Sequence, residues 1–278
     1  MKMTGLQINK LLPKTNCKEC GSNTCLAFAM KLAARKAELS ECPYASDEAK
    51  EVLGAATEPP VKKVDLGTDN ELSIGGETCL YRHEKTFIHQ TLLAVNIDDD
   101  RSDDDIMAEA GRIAEYTLTR VGEDLRVEMI AVTHRSETPE RFADVALMVH
   151  KKSKRPLILR SDDVQALKLA AGAVTGSGSV MASATPDTAG QLKATAEEHG
   201  HVLSVSAPDV NGLVDLTQEL KDDGFDRLVM EFRTFSESEH YQTNSLARRA
   251  ALRSGIKQLG YPTLRFIGDG NRFAVQNE

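Results

Sequence analysis

Four cysteines hold the chemistry that the sequence makes legible first. Cys17, Cys20, Cys25 and Cys42 lie within the first 42 residues of a 278-residue chain, spaced Cys-x2-Cys-x4-Cys-x16-Cys with Pro43 following, and Cys79 is the fifth. A disulfide framework usually spreads through a small secreted domain, whereas thiols crowded at one end of a chain point to a metal site. Three thiolates on a compact loop and a fourth brought back by a helix can surround an iron–sulfur cubane, whose soft iron suits sulfur. Structural zinc is the competing occupant, but zinc modules usually repeat a tight pair, and here Cys25 and Cys42 stand apart. Unligated thiols or disulfides are the third reading. The spacing favours a [4Fe-4S] cluster. Cys79 reads as a half-buried strand cysteine.

The elements that must position these sulfurs are short. Leu6–Leu12 suits a helix stopped by Pro13, and the first three cysteines then occupy a Gly/Asn/Thr loop in which Gly21 permits a tight turn. Cys25 to Leu39 is rich in good helix formers, with Thr24 as its N-cap. Cys25 then lies where the helix dipole favours an anion. Ala45–Ala55 suits a second helix begun by Ser46, and Glu58-Pro59-Pro60 marks a boundary. Through Cys42 there are 7 basic side chains (Lys2, Lys10, Lys14, Lys18, Lys31, Arg35, Lys36) against 3 acidic ones. That surplus suits a dianionic cluster core.

The rest of the chain has a different rhythm. Residues 61–87 read as a connector of short strands, with a Gly67–Asn70 turn and a Gly75-Gly76 hairpin signal. From residue 88 apolar runs recur at 92–97, 128–134, 156–160, 179–184, 201–207, 227–232 and 262–268. Helical stretches separate them: Asp103–Thr119, Pro139–His150, Asp163–Ala173, Asp187–His199, Val210–Asp222 and residues 245–260. Strands alternating with helices make a parallel sheet with right-handed crossovers. No Gly-x-Gly-x-x-Gly follows the first strand, which disfavours a dinucleotide fold. The fold class is therefore α/β: a small N-terminal [4Fe-4S] domain (1–60), the connector (61–87), and a TIM-barrel-like (β/α) domain (88–278), complete or one strand short.

Other charged motifs have bland readings beside sharp ones. The Asp98–Asp105 run could hold a hard cation but reads better as a solvated loop capping the next helix. His134-Arg135, Arg160-Ser161-Asp162 and Arg233 follow strand ends, where barrel sites are built. Gly176-Ser177-Gly178 precedes a strand and reads as a turn, and Lys151–Arg155 as a solvated basic loop. The net charge of −8 disfavours nucleic acid, no apolar run reaches the roughly 18 residues of a membrane span, and the N-terminus lacks a secretory signal. The expected location is the cytoplasm.

LPKTNCKECGSNTCLAFAMKLAARKAELSECPYASDEAKEVL closely resembles the iron–sulfur domain of the corrinoid iron–sulfur protein large subunit, which in methanogens is the gamma subunit of the acetyl-CoA decarbonylase/synthase complex. GETCLYRHEKTFIHQT is similar to that family's entry into its barrel. The resemblance implies Cys17, Cys20, Cys25 and Cys42 as cluster ligands, and a role in the acetyl-CoA (Wood–Ljungdahl) pathway. There the family's corrinoid carries a methyl group from methyltetrahydrofolate or methyltetrahydrosarcinapterin to acetyl-CoA synthase, and the cluster reduces Co(II) back to nucleophilic Co(I). If enzymatic, the chain would be a component of a methylpterin:corrinoid methyltransferase system. The implied partners are the small subunit, the methyltransferase and acetyl-CoA synthase. The family's corrinoid-binding domain follows the barrel, so the corrinoid is expected on a missing or separately encoded domain, or shared with a partner. An electron-transfer or regulatory module that never touches cobalamin is the alternative.

Overall fold

The structure is a computed structural model, and it describes residues 3–34, 37, 39–46, 49–50, 52–53, 59–81, 83, 88–234 and 236–267. Lys2, Arg35 and Lys36 of the basic surplus, Glu58 of the boundary, Arg82 and residues 84–87 of the connector, and Gly268 lie outside them. The chain divides into two compact units, Met1–Pro60 and Val61–Glu278.

In the first unit, helix Gly5–Leu11 begins with a capping box: Thr4 Oγ1 accepts from Gln7 N, and Gln7 Oε1 accepts from Thr4 N at 2.8 Å. Helix Cys25–Ala33 is capped by Thr24, which accepts from Ala27 N at 3.1 Å. The two helices meet at Gly5, where any side chain would run into the Met30 side chain. Ile8, Leu12, Phe28, Ala29, Leu32, Ala45, Ala49 and Leu53 form a buried apolar cluster together with Cys25 and Cys42.

The second unit is built on a curled sheet of seven parallel strands: β3 (Ala94–Asp98), β6 (Met129–Thr133), β7 (Leu157–Arg160), β8 (Val180–Ala184), β9 (Val202–Ala207), β10 (Leu228–Phe232) and β11 (Thr263–Leu264). They lie side by side in chain order with no reversal. A doubly wound sheet needs a reversal, so this order makes the fold barrel-like. Each of the seven expected runs supplies one strand. The sheet is open in the described residues, with β3 and β11 at its two ends.

Side chains alternate across each strand and sort into two layers. Ile130, Val132, Leu157, Leu159, Leu203, Val205, Leu228 and Met230 pack with helix residues such as Ile106, Phe142, Val145, Leu167 and Leu216. Met129, Ala131, Ile158, Val180, Ala182, Val202 and Val229 form the other layer, joined there by Val64 and Leu66. These last two belong to β1 (Val64–Leu66), paired antiparallel with β2 (Leu72–Ile74). The connector thus supplies apolar residues to the inner layer of the sheet. The turn of that hairpin is Gly67–Asn70. Gly75 and Gly76 do not make a hairpin: they end β2 with positive φ, and Gly76 N donates to Val61 O. Gly178 carries a close approach, because a side chain there would strike the backbone of Gly67.

Two other elements differ from the sequence reading. The first long helix ends at Glu115, not Thr119, and an exposed antiparallel hairpin follows, β4 (Thr117–Arg120) and β5 (Glu123–Arg126). The last helix starts at Glu237, well before residue 245, because Ser236 caps it by accepting from Glu239 N. No helix among the described residues is long and apolar enough to cross a membrane.

Candidate metal centre

Three short segments present the four thiols. Cys17 and Cys20 lie on the loop after the first helix, Cys25 opens the second helix, and Cys42 follows a 3-10 turn, Leu39–Glu41. Cys17 is exposed, Cys20 half-buried, and Cys25 and Cys42 buried. No disulfide links any of the five cysteines.

Two polar links tie the segments together. Asn16 Oδ1 accepts from the Cys25 backbone N–H at 2.8 Å, joining the loop to the helix start. Tyr44 donates its hydroxyl to Glu19 Oε1 at 3.0 Å, joining the Cys20 side of the loop to the turn after Cys42. The Cys25 N–H at the helix start is therefore taken by Asn16. Between them Lys14, Asn16 and Lys18 all have positive φ, as does Gly21. Three non-glycine residues in the left-handed region within five positions are uncommon, at a cost of about 1 kcal/mol or more each. Such strain collects where a backbone is held to a function.

Burial pushes the Cys42 thiol above its ordinary value, the nearby Tyr44 backbone N–H draws it down, and negative charge on Cys20, Cys25 and Cys17 pushes it up again. Cys42 thus lies within electrostatic reach of the other three sulfurs. Yet among the described residues no three His, Cys, Asp or Glu side chains are gathered closely enough to enclose a single ion. A tetrahedral zinc with Zn–S near 2.3 Å needs sulfurs about 3.8 Å apart. A cubane takes one thiolate at each of four irons and needs a wider array. Four soft thiols, two of them buried, fit the cluster. A further feature had no signal in the sequence: Ser22, between Cys20 and Cys25, is 4% exposed and its Oγ has no hydrogen-bond partner among the described residues. The lysines described here, Lys10, Lys14, Lys18 and Lys31, are all exposed.

The strand-end residues of the second unit are engaged within the fold. His134 Nδ1 pairs with Ser161 Oγ at 2.8 Å and its ring stacks on Phe142. Arg160 lies over the Phe266 ring, and Arg233 Nε donates to Ser206 Oγ at 3.0 Å. In the acidic run Asp99 is fully buried, its carboxylate accepting from the backbone N–H groups of Arg135 and Ser136 and from Ser136 Oγ. The run is therefore not solvated throughout: Asp99 fastens β3 to the loop after β6. The loop caps the next helix as expected, through Ser102 rather than an aspartate. Cys79 is half-buried and its carbonyl accepts from Arg248. A cleft of about 640 Å³ opens on the inner side of the sheet, with His240, Asn244 and Arg248 of one helix above an apolar floor that includes Met129 and Ile158. The sequence carried no pattern for it.

A module of four thiols and a barrel-like parallel sheet together define the class of this protein. Residues 63–269 match the family model "CO dehydrogenase/acetyl-CoA synthase delta subunit", and the chain belongs to that family. A second model, "Putative Fe-S cluster", matches residues 12–44, the segment that contains all four thiols. Across its length the chain is 35% identical to the corrinoid/iron-sulfur protein large subunit of Moorella thermoacetica, over 98% of this chain and 61% of that protein. It is 31% identical to the acetyl-CoA decarbonylase/synthase complex subunit gamma of Methanocaldococcus jannaschii, over 100% of this chain and 58% of the relative. The corresponding subunit of Methanothermobacter thermautotrophicus is 30% identical, with 95% and 58% covered. The chain spans about three-fifths of the length of these relatives.

Proposed function

We propose that Cys17, Cys20, Cys25 and Cys42 hold a [4Fe-4S] cluster and that the chain serves in the acetyl-CoA pathway as the cluster and barrel portion of a corrinoid iron–sulfur large subunit. Bound there, the cluster would supply single electrons at low potential, the chemistry needed to return Co(II) corrinoid to Co(I). The chain's own part is to hold it. Asn16 and the Tyr44–Glu19 link fix the three thiol-bearing segments, the buried positions of Cys25 and Cys42 limit water, and the lysines offset negative charge. The barrel unit (61–278, connector included) is the docking body for a small subunit, a methylpterin-dependent methyltransferase and acetyl-CoA synthase, and the corrinoid is contributed by another domain or a partner. The place of action is the cytoplasm.

The observation that supports this reading is that all four thiols lie within one small unit, in the segment 12–44 that matches an iron–sulfur model. Anaerobic reconstitution tests it. The expected product is brown, with a broad band near about 400 nm and about four irons per chain. A colourless protein with one zinc would overturn the cluster. With iron in place, mixing with cob(II)alamin-loaded small subunit should give cluster-dependent reduction; its absence would leave an electron-transfer module that does not serve cobalamin.

A further inference from the structure

We infer that Ser22 is a potential-setting residue, donating its hydroxyl hydrogen bond to the sulfur shell of the cluster; this rests on the iron–sulfur reading above. A buried hydroxyl without a partner costs about 1–3 kcal/mol, a cost that an acceptor absent from the polypeptide would remove. Ser22 is in that position: 4% exposed, its Oγ without a partner among the described residues, two residues after Cys20 and three before Cys25. Other donors of the same stretch are already used inside the protein. The Cys25 N–H goes to Asn16 Oδ1, the Gly21 N–H to Lys18 O, and the Ala27 N–H to Thr24 Oγ1. The Ser22 hydroxyl is left over, in the middle of the ligand loop.

Cluster sulfides and cysteine thiolates are acceptors. Hydrogen bonds to them are one of the terms that set a cluster's potential. The reduced cluster has one more negative charge than the oxidised one, so a donor stabilises it more and raises the potential. The proton stays on Ser22 Oγ throughout, and a single electron is all that moves.

The test compares reconstituted full-length wild type, Ser22→Ala and Ser22→Thr by EPR-monitored redox titration, with iron content measured on each. Ser22→Ala is expected to keep about four irons per chain and to show roughly tenfold less reduced cluster at a fixed poise, a fall of about 59 mV for one electron. Ser22→Thr, which keeps a hydroxyl, restores most of it. An unmoved potential at full iron content overturns the role of Ser22 and leaves the iron–sulfur reading standing, whereas a wild type that takes up no iron removes both. Iron-free unfolding gives a check that needs no cluster. Ser22→Ala should be at least as stable as wild type, and a tenfold or greater loss in the folding constant would show that the hydroxyl serves the fold instead.

Discussion

In Met1–Pro60 the buried set runs from Ile8 to Leu53 and counts two cysteines among its members, around a loop that holds three non-glycine residues at positive φ. In Val61–Glu278 two apolar layers lie on opposite sides of a parallel sheet, and buried polar groups such as Asp99 and Thr217 are paired within the chain. The first unit buries two thiols and leaves Ser22 Oγ without a partner; the second is held by its two apolar layers, although it too leaves buried atoms such as Ser204 Oγ and His201 Nδ1 without a partner among the described residues. A unit of about sixty residues is marginal on apolar burial alone, and small domains commonly draw on metals for the remainder. On the proposed reading part of the first unit's order comes from its ligand, whereas that of the second comes from its two apolar layers.

The widest separation of the two should come from removing a ligand. Cys42→Ser is expected to drop iron binding and to speed amide exchange in residues 5–33, while exchange in β6 to β10 stays protected. Equal loss of protection in both units would end the contrast.

Acid should act in the opposite sense, on the sheet unit alone. His201 is fully buried, and burial is the main cause that lowers its pKa to about 4 from the ordinary 6.5, the carbonyl of Ala171 opposing the shift and the His199 and Arg227 charges adding to it. Its folded pKa lies below the unfolded value, so the neutral ring favours folding above pH 6.5. That contribution, roughly 3 kcal/mol, is lost as pH falls from 6.5 to about 4. Denaturant titrations across this range should show the slope in wild type and lose most of it in His201→Phe; an unchanged slope would assign the acid sensitivity elsewhere.

The smallest effect is expected at the tip of the exposed hairpin. Val121 is 97% exposed with φ 53, next to Gly122 at φ 83, a turn in which a β-branched residue is strained. Val121→Asn should stabilise the second unit by about 1 kcal/mol in a denaturant midpoint, without changing iron content. A destabilised variant would show that the valine serves the hairpin.

Much of this was readable from residue order. The seven apolar runs became seven strands because buried parallel strands need continuous Val/Ile/Leu segments, and Thr24, Asp163 and Ser102 cap helices because their oxygens reach unpaired N–H groups. The β4–β5 hairpin was legible only in hindsight: Thr117–Arg126 alternates polar and apolar residues around Gly122, but it follows a strong helix without a break. The Gly67–Asn70 turn formed where the residue types put it, with Gly178 letting the chain come close, whereas Gly75-Gly76, which also carried the residue types of a hairpin turn, made none.

Residue types and their spacing alone determined that thiolate chemistry sits at the amino end and that strands and helices alternate behind it, because ligand preference and backbone periodicity are local properties. The burial of Asp99 and His201, the links from Asn16 to Cys25 and from Tyr44 to Glu19, and the unanswered hydroxyl of Ser22 were decided only by the tertiary structure. Each depends on which distant groups fold to within hydrogen-bond reach, and no spacing along a chain encodes that distance.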